Sequence, residues 1–235
     1  MNPLILIGLL LASLAAGEPP ASAERATYLA DLSQAMGVQW PKNRAITIVC
    51  HGHSVPAGYF KTPVVDTFNA YPHLLHLGLK QRFPHAVINV IVTAIGGENA
   101  ESGAKRFADD VLTHKPDLIT IDYALNDRGI GLERAKAEWT AMIAQADARK
   151  IRVVLLTPTP DQAAKLDDPM DPLNQHAQQI RQLAAEHHLA LVDSLAAFKA
   201  AITKGTTLAS MMSQGNHPNR QGHDLVAAGL LEWFH

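Results

Sequence analysis

Ser54 stands in the heptapeptide Gly52-His53-Ser54-Val55-Pro56-Ala57-Gly58, one residue after the apolar, β-branched run Ala45–Cys50. Glycines on both sides let the backbone turn sharply and expose the hydroxyl. A serine hydroxyl becomes a useful nucleophile when an imidazole takes its proton. The anion that then forms on the attacked carbonyl needs hydrogen-bond donors, each worth roughly 3 kcal/mol. Three further segments offer these parts. Gly96-Gly97 presents unhindered backbone N–H groups, Asn126 a side-chain amide, and His217, in Gly215-Asn216-His217-Pro218-Asn219, an imidazole beside a proline. Each segment alone reads equally well as an ordinary turn. Together they supply a nucleophile (Ser54), a base (His217) and three oxyanion donors: the Ser54 N–H, the Gly97 N–H and the Asn126 amide.

These residues need a scaffold that brings distant segments to one rim. Short apolar runs recur at 45–50, 86–93, 117–123, 151–157 and 189–192. Stretches of helical period lie between or beyond them at 25–36, 68–82, 100–113, 131–149, 172–188 and 220–234. Such alternation predicts an α/β fold with about five parallel strands and helices on both faces. Right-handed crossovers put every strand's carboxyl end on one edge, where open α/β sheets carry their sites. Ser54, Gly97 and Asn126 each follow a strand at that edge. The Pro- and Asp-rich stretch 158–171 is expected as a loop walling the cleft.

Composition narrows the function classes. The chain has 235 residues with 47% apolar and 18% charged content, enough for a packed core. A net charge of −2 without a basic block disfavours nucleic acid as a partner. Leu4–Ala16 is an apolar run followed by Ala21-Ser22-Ala23, the pattern of a cleaved export signal. The run is shorter than the roughly 20 residues that span a bilayer. The reading is therefore a signal peptide over 1–23, a single domain over 24–235, a periplasmic or secreted location, and no stable membrane insertion after cleavage. The single cysteine, Cys50, excludes an internal disulfide and is expected in the core.

Gly52-His53-Ser54, Ile95-Gly96-Gly97, Asn126-Asp127 and His217-Pro218-Asn219, in this order across the chain, resemble the four blocks of the SGNH hydrolase (GDSL esterase/lipase) superfamily. The resemblance implies a flavodoxin-like three-layer α/β/α sandwich and hydrolysis of esters, often acetyl esters on carbohydrates. It implies no cofactor and no metal, and a small-molecule or glycan ester as substrate. A lipase, arylesterase or thioesterase is a second possibility within the same superfamily. A carbohydrate-binding protein without catalysis, on the same fold, is a possibility of a different class.

Three positions depart from the superfamily's pattern. His53 replaces the Asp that normally precedes the serine, Ala124 replaces a glycine, and Gln214 stands where an Asp normally orients the histidine. Three arrangements follow for His217: a Ser54–His217 dyad oriented by a Gln214 carbonyl, a displaced acid among Glu98, Asp127 and Asp161, or a pocket that only binds. His53 is a weaker candidate base, because adjacent side chains on an extended segment point apart. His51-x-His53 alone is a weak metal signal.

Overall fold

The computed structural model describes residues 22–235, so the expected export segment lies almost wholly outside the described residues. Among the described residues, no helix is long and apolar enough to cross a membrane. In chain order the elements are α1 (Arg25–Tyr28), α2 (Ala30–Gly37), β1 (Ala45–Gly52), α3 (Ser54–Ala57), α4 (Tyr71–Arg82), β2 (Val87–Val92), α5 (Ala100–Asp110), β3 (Leu118–Asp122), α6 (Ala124–Asp127), α7 (Leu132–Asp147), β4 (Arg152–Leu156), α8 (Pro172–Glu186), β5 (Ala190–Val192), α9 (Ser194–Thr203), β6 (Met212–Gln214), β7 (His217–Pro218) and α10 (Arg220–Leu231).

The five-stranded sheet has the order β2-β1-β3-β4-β5, and every pairing within it is parallel. Strand alternation splits the core into two layers. Ile46, Ile48 and Cys50 of β1 face Leu75, Leu79, Phe198, Val226 and Leu230 from α4, α9 and α10. Val49, between them, faces Phe107, Trp139, Met142 and Ile180 from α5, α7 and α8. The fold is thus the expected α/β/α sandwich, with its switch point between β1 and β3. Ser54 follows the first of these strands and Asn126 the second.

The structure also departs from the expected elements. The helix expected over 25–36 is broken at Leu29 into α1 and α2. Helix α9 was not anticipated, because Asp193 caps it immediately after β5 with no glycine or proline between. His217-Pro218 is a short strand, not a free loop: β7 pairs antiparallel with β6 through Met212↔Pro218 and Gln214↔His217. Segment 158–171 is the expected loop.

Candidate active site

The nucleophile turn is built by close packing. Gly52 ends β1 opposite Asp122, and a Cβ there would lie 2.5 Å from the Asp122 carbonyl oxygen and 2.7 Å from the Pro56 ring. Only glycine fits that approach. His53 is extended, with φ −101° and ψ −151°, and Ser54 opens the single turn of α3. Gly58 closes the turn in the left-handed region at φ 89°. Ser54 is 6% exposed. Its N–H opens the helix and meets no acceptor among the described residues.

His217 reaches this turn from the far end of the chain. Its Nε2 lies 2.9 Å from Ser54 Oγ, and its Nδ1 lies 2.8 Å from the Phe60 carbonyl oxygen. A carbonyl can only accept, so Nδ1 carries the proton and Nε2 presents a lone pair to the serine. Ser213 Oγ donates to the His217 carbonyl at 3.0 Å, and Asn219 caps α10 just beyond. Burial lowers the His217 pKa below the usual histidine value, the Phe60 carbonyl works the other way, and neighbouring His53 lowers it further.

The expectation that Gln214 orients His217 is corrected here. The Gln214 Oε1 instead accepts the Thr62 N–H at 2.9 Å, two residues beyond Phe60. Phe60 N–H donates to the Val64 carbonyl at 3.0 Å, and the Phe60 ring stacks on His223 with centroids 5.3 Å apart. Gln214 therefore holds the loop whose main chain supplies the acceptor. The three displaced-acid candidates are engaged elsewhere. Glu98 pairs with Arg106, Asp161 pairs with Arg128, and Asp127 accepts from the Ala100 N–H and the Trp139 indole. Burial raises the Asp127 pKa to about 6 against those two donors.

The expected oxyanion donors share the same rim. Gly97 adopts φ 81°, a region that favours glycine, and its N–H meets no acceptor among the described residues. Asn126 donates one amide N–H to the Glu98 carbonyl at 2.8 Å. With the Asp127–Ala100 bond of 2.7 Å, this fixes α6 against the glycine turn. The Tyr59 ring, 6.0 Å from that of His217, packs against Gly96, where a Cβ would meet it at 3.0 Å. A cavity of about 450 Å³ beside Asn126 is lined by Arg128, Ala163, Ala164 and Asp171, so residues of the 158–171 loop border the space next to Asn126.

The other candidates resolve by burial. Cys50 is fully buried, which pushes its thiol up to about 12. His51 turns away from His53 and bonds Thr93, Gly103 and Tyr123. His53 does not point away from its neighbour: its Nδ1 lies 3.4 Å from Ser54 Oγ. The turn's reversal, which puts the two residues on opposite sides of a helix start, overrides the alternation of an extended chain. Phe60 and Asp122 are the groups at this site that residue type alone did not suggest.

The profile of the GDSL-like Lipase/Acylhydrolase family matches residues 50–225. An acetylxylan esterase from Geobacillus stearothermophilus is 24% identical over 168 residues, spanning 66% of this chain and 76% of that protein. The solved structure of Axe2, an acetylxylan esterase from the same organism, superposes with a TM-score of 0.70 at 22% identity, covering 80% of this chain and 94% of the other. A two-domain esterase active on acetylated mannans superposes with a TM-score of 0.69 at 20% identity, covering 87% of this chain and 51% of the other. At these identities the structural likeness speaks to the fold. The family match spans the segments that carry Ser54, Gly97, Asn126 and His217, and the chain belongs to the GDSL-like lipase/acylhydrolase family of SGNH ester hydrolases.

Proposed function

We propose that the protein is an exported carbohydrate O-acetylesterase acting through an acyl-enzyme on Ser54. The carrying observation is the chain of hydrogen bonds from Ser54 Oγ to His217 Nε2 and from His217 Nδ1 to the Phe60 carbonyl. Ser54 Oγ attacks the ester carbonyl carbon while His217 Nε2 takes its proton. The oxyanion is received by the Ser54 N–H, the Gly97 N–H and the remaining Asn126 amide N–H. Collapse breaks the bond to the alcohol oxygen, which leaves with the proton from His217. Water then attacks the acetyl-serine, with His217 again as base, and releases acetate.

The sugar acetate reading is supported by the acetylxylan and acetylated-mannan esterases that the chain resembles. Export is supported by the Leu4–Ala16 run and the small residues after it. The test compares the mature protein with Ser54→Ala on p-nitrophenyl acetate and acetylated xylo-oligosaccharides. A serine-directed fluorophosphonate provides a second readout. Wild type should turn over and label, and Ser54→Ala should do neither. Equal turnover by the two proteins ends the reading.

A further inference from the structure

A second imidazole lies behind the nucleophile, and the reaction above leaves it unused. His53 is fully buried and Asp122 is 2% exposed. Both are placed by the β1–β3 register, which sets Gly52 beside Asp122, and the His53 N–H donates to the Asp122 carbonyl at 3.2 Å. The His53 Nε2 then faces the Asp122 carboxylate, 3.4 Å from Oδ1. Neither atom has a hydrogen-bond partner among the described residues, so at 3.4 Å the two face each other without a formed hydrogen bond. On the other side of the ring, the Val55 N–H donates to Nδ1 at 3.2 Å, and Ser54 Oγ lies 3.4 Å from the same nitrogen.

These contacts fix the tautomer. A nitrogen that accepts the Val55 N–H has no proton of its own, so the ring proton sits on Nε2, the nitrogen on the Asp122 side of the ring. The opposite tautomer would set an Nδ1–H against the Val55 N–H and would aim it at Ser54 Oγ. That contact would occupy a lone pair the serine needs for attack. It would also loosen the turn that orients the Ser54 N–H.

Resting on the reading of Ser54 as nucleophile, we propose that Asp122 acts through His53 as a positioning pair for Ser54. Asp122 holds His53 in its Nε2–H form. His53 thereby caps α3 in place of the usual acid and keeps the Ser54 oxygen free, with the hydroxyl proton directed to His217. His53 is enclosed and cannot hand a proton to the leaving alcohol. It is therefore not a second base. Asp122 orients an imidazole, as a triad acid does, but the imidazole is not the one that moves the proton.

Asp122→Asn tests this, because it preserves shape while allowing the amide to donate to Nε2 and stabilise the wrong tautomer. The expected result is a fall in kcat on p-nitrophenyl acetate of at least tenfold. KM should be nearly unchanged, and fluorophosphonate labelling should slow in parallel. The acid limb of the pH profile belongs to His217, whose surroundings (its burial, the Phe60 carbonyl and the His53 ring) all remain in this variant, and it should stay in place. In a His53→Asn background, where an amide oxygen can still cap Val55, the Asp122→Asn change should have no further effect. Wild-type rates in Asp122→Asn overturn the proposal, as does the same loss in both backgrounds or a displaced acid limb. If His53→Asn does not fold, kcat and the acid limb of Asp122→Asn decide the matter. An active Ser54→Ala protein would instead sink the nucleophile reading on which the pair depends.

Discussion

The Nδ1–H of His217 donates to the carbonyl oxygen of Phe60 at 2.8 Å, so a main-chain atom takes the place that a carboxylate holds in a Ser-His-Asp triad. A carbonyl fixes the tautomer as well as an acid does. It carries no full charge to balance an imidazolium. The geometry of that acceptor therefore matters more than its electrostatics, and it depends on how the 60–64 loop is held.

Gln214→Ala removes the acceptor of the Thr62 N–H and frees this loop. One lost hydrogen bond of about 0.5–1.5 kcal/mol predicts a fall in kcat of roughly two- to tenfold. Gln214→Glu retains an oxygen for Thr62 and should stay nearer wild type. Steady-state kinetics on p-nitrophenyl acetate decide it, and an alanine variant with unchanged kcat would show that the tether is dispensable.

The pH dependence follows from the lowered pKa of His217. The base works only when neutral. A folded-state pKa below the usual histidine value keeps it neutral further into acid. The kcat/KM profile should therefore fall on a single acid limb centred below pH 6.5, the ordinary histidine value. A limb centred above that value would contradict the assignment.

Stability should decline in acid for a separate reason. Burial lowers His51 and His176 to about 4 and His223 to about 3, so the native state refuses protons that the unfolded chain accepts from pH 6.5 downward. Asp127, raised to about 6, takes up a proton in the native state first and offsets one of the three. The net difference of about two protons predicts a loss of roughly 2–3 kcal/mol per pH unit between pH 6 and 5, easing toward pH 4 as His51 and His176 begin to protonate in the native state. Urea unfolding at several pH values measures it; a midpoint that does not change over that range would contradict the prediction.

Two glycines make a matched pair for the packing of the turn. Gly52→Ala would push a methyl group into the Asp122 main chain and should cost about 1–3 kcal/mol or more, with loss of activity. Gly37→Ala, at the exposed end of α2 with nothing within 4 Å, should be neutral or stabilising by up to about 1 kcal/mol. Thermal melts of the two variants provide the comparison.

The parts of the site legible in the sequence were those whose residue type is itself the chemistry. Ser54, Gly97 and Asn126 follow strands, and a parallel sheet gathers strand ends on one rim without further information. His217 was legible because an imidazole beside a proline is distinctive near that rim. Phe60 was not, since any residue carries a carbonyl and nothing in its side chain advertises the role. Asp122 is one residue within the apolar run 117–123, with nothing in that run to mark a role. Its meeting with His53 depends on the register between β1 and β3, which pattern alone does not determine. Helix α9 escaped the reading because the Asp193 cap, not hydrophobic period, begins it, while α5 starts at 100 as expected behind its Asn99 cap.

Because the acceptor for His217 belongs to the peptide backbone, no side-chain substitution deletes it. Alanine scanning would pass over position 60 as a hydrophobic residue, and a search for triads by their acids would file this chain among the inactive members of its family. Replacing the amide linkage after Phe60 with an ester, whose carbonyl is a weaker acceptor, would reach the feature directly. The same independence lets the loop change its side chains over evolutionary time while the orienting atom persists, provided something still holds Thr62.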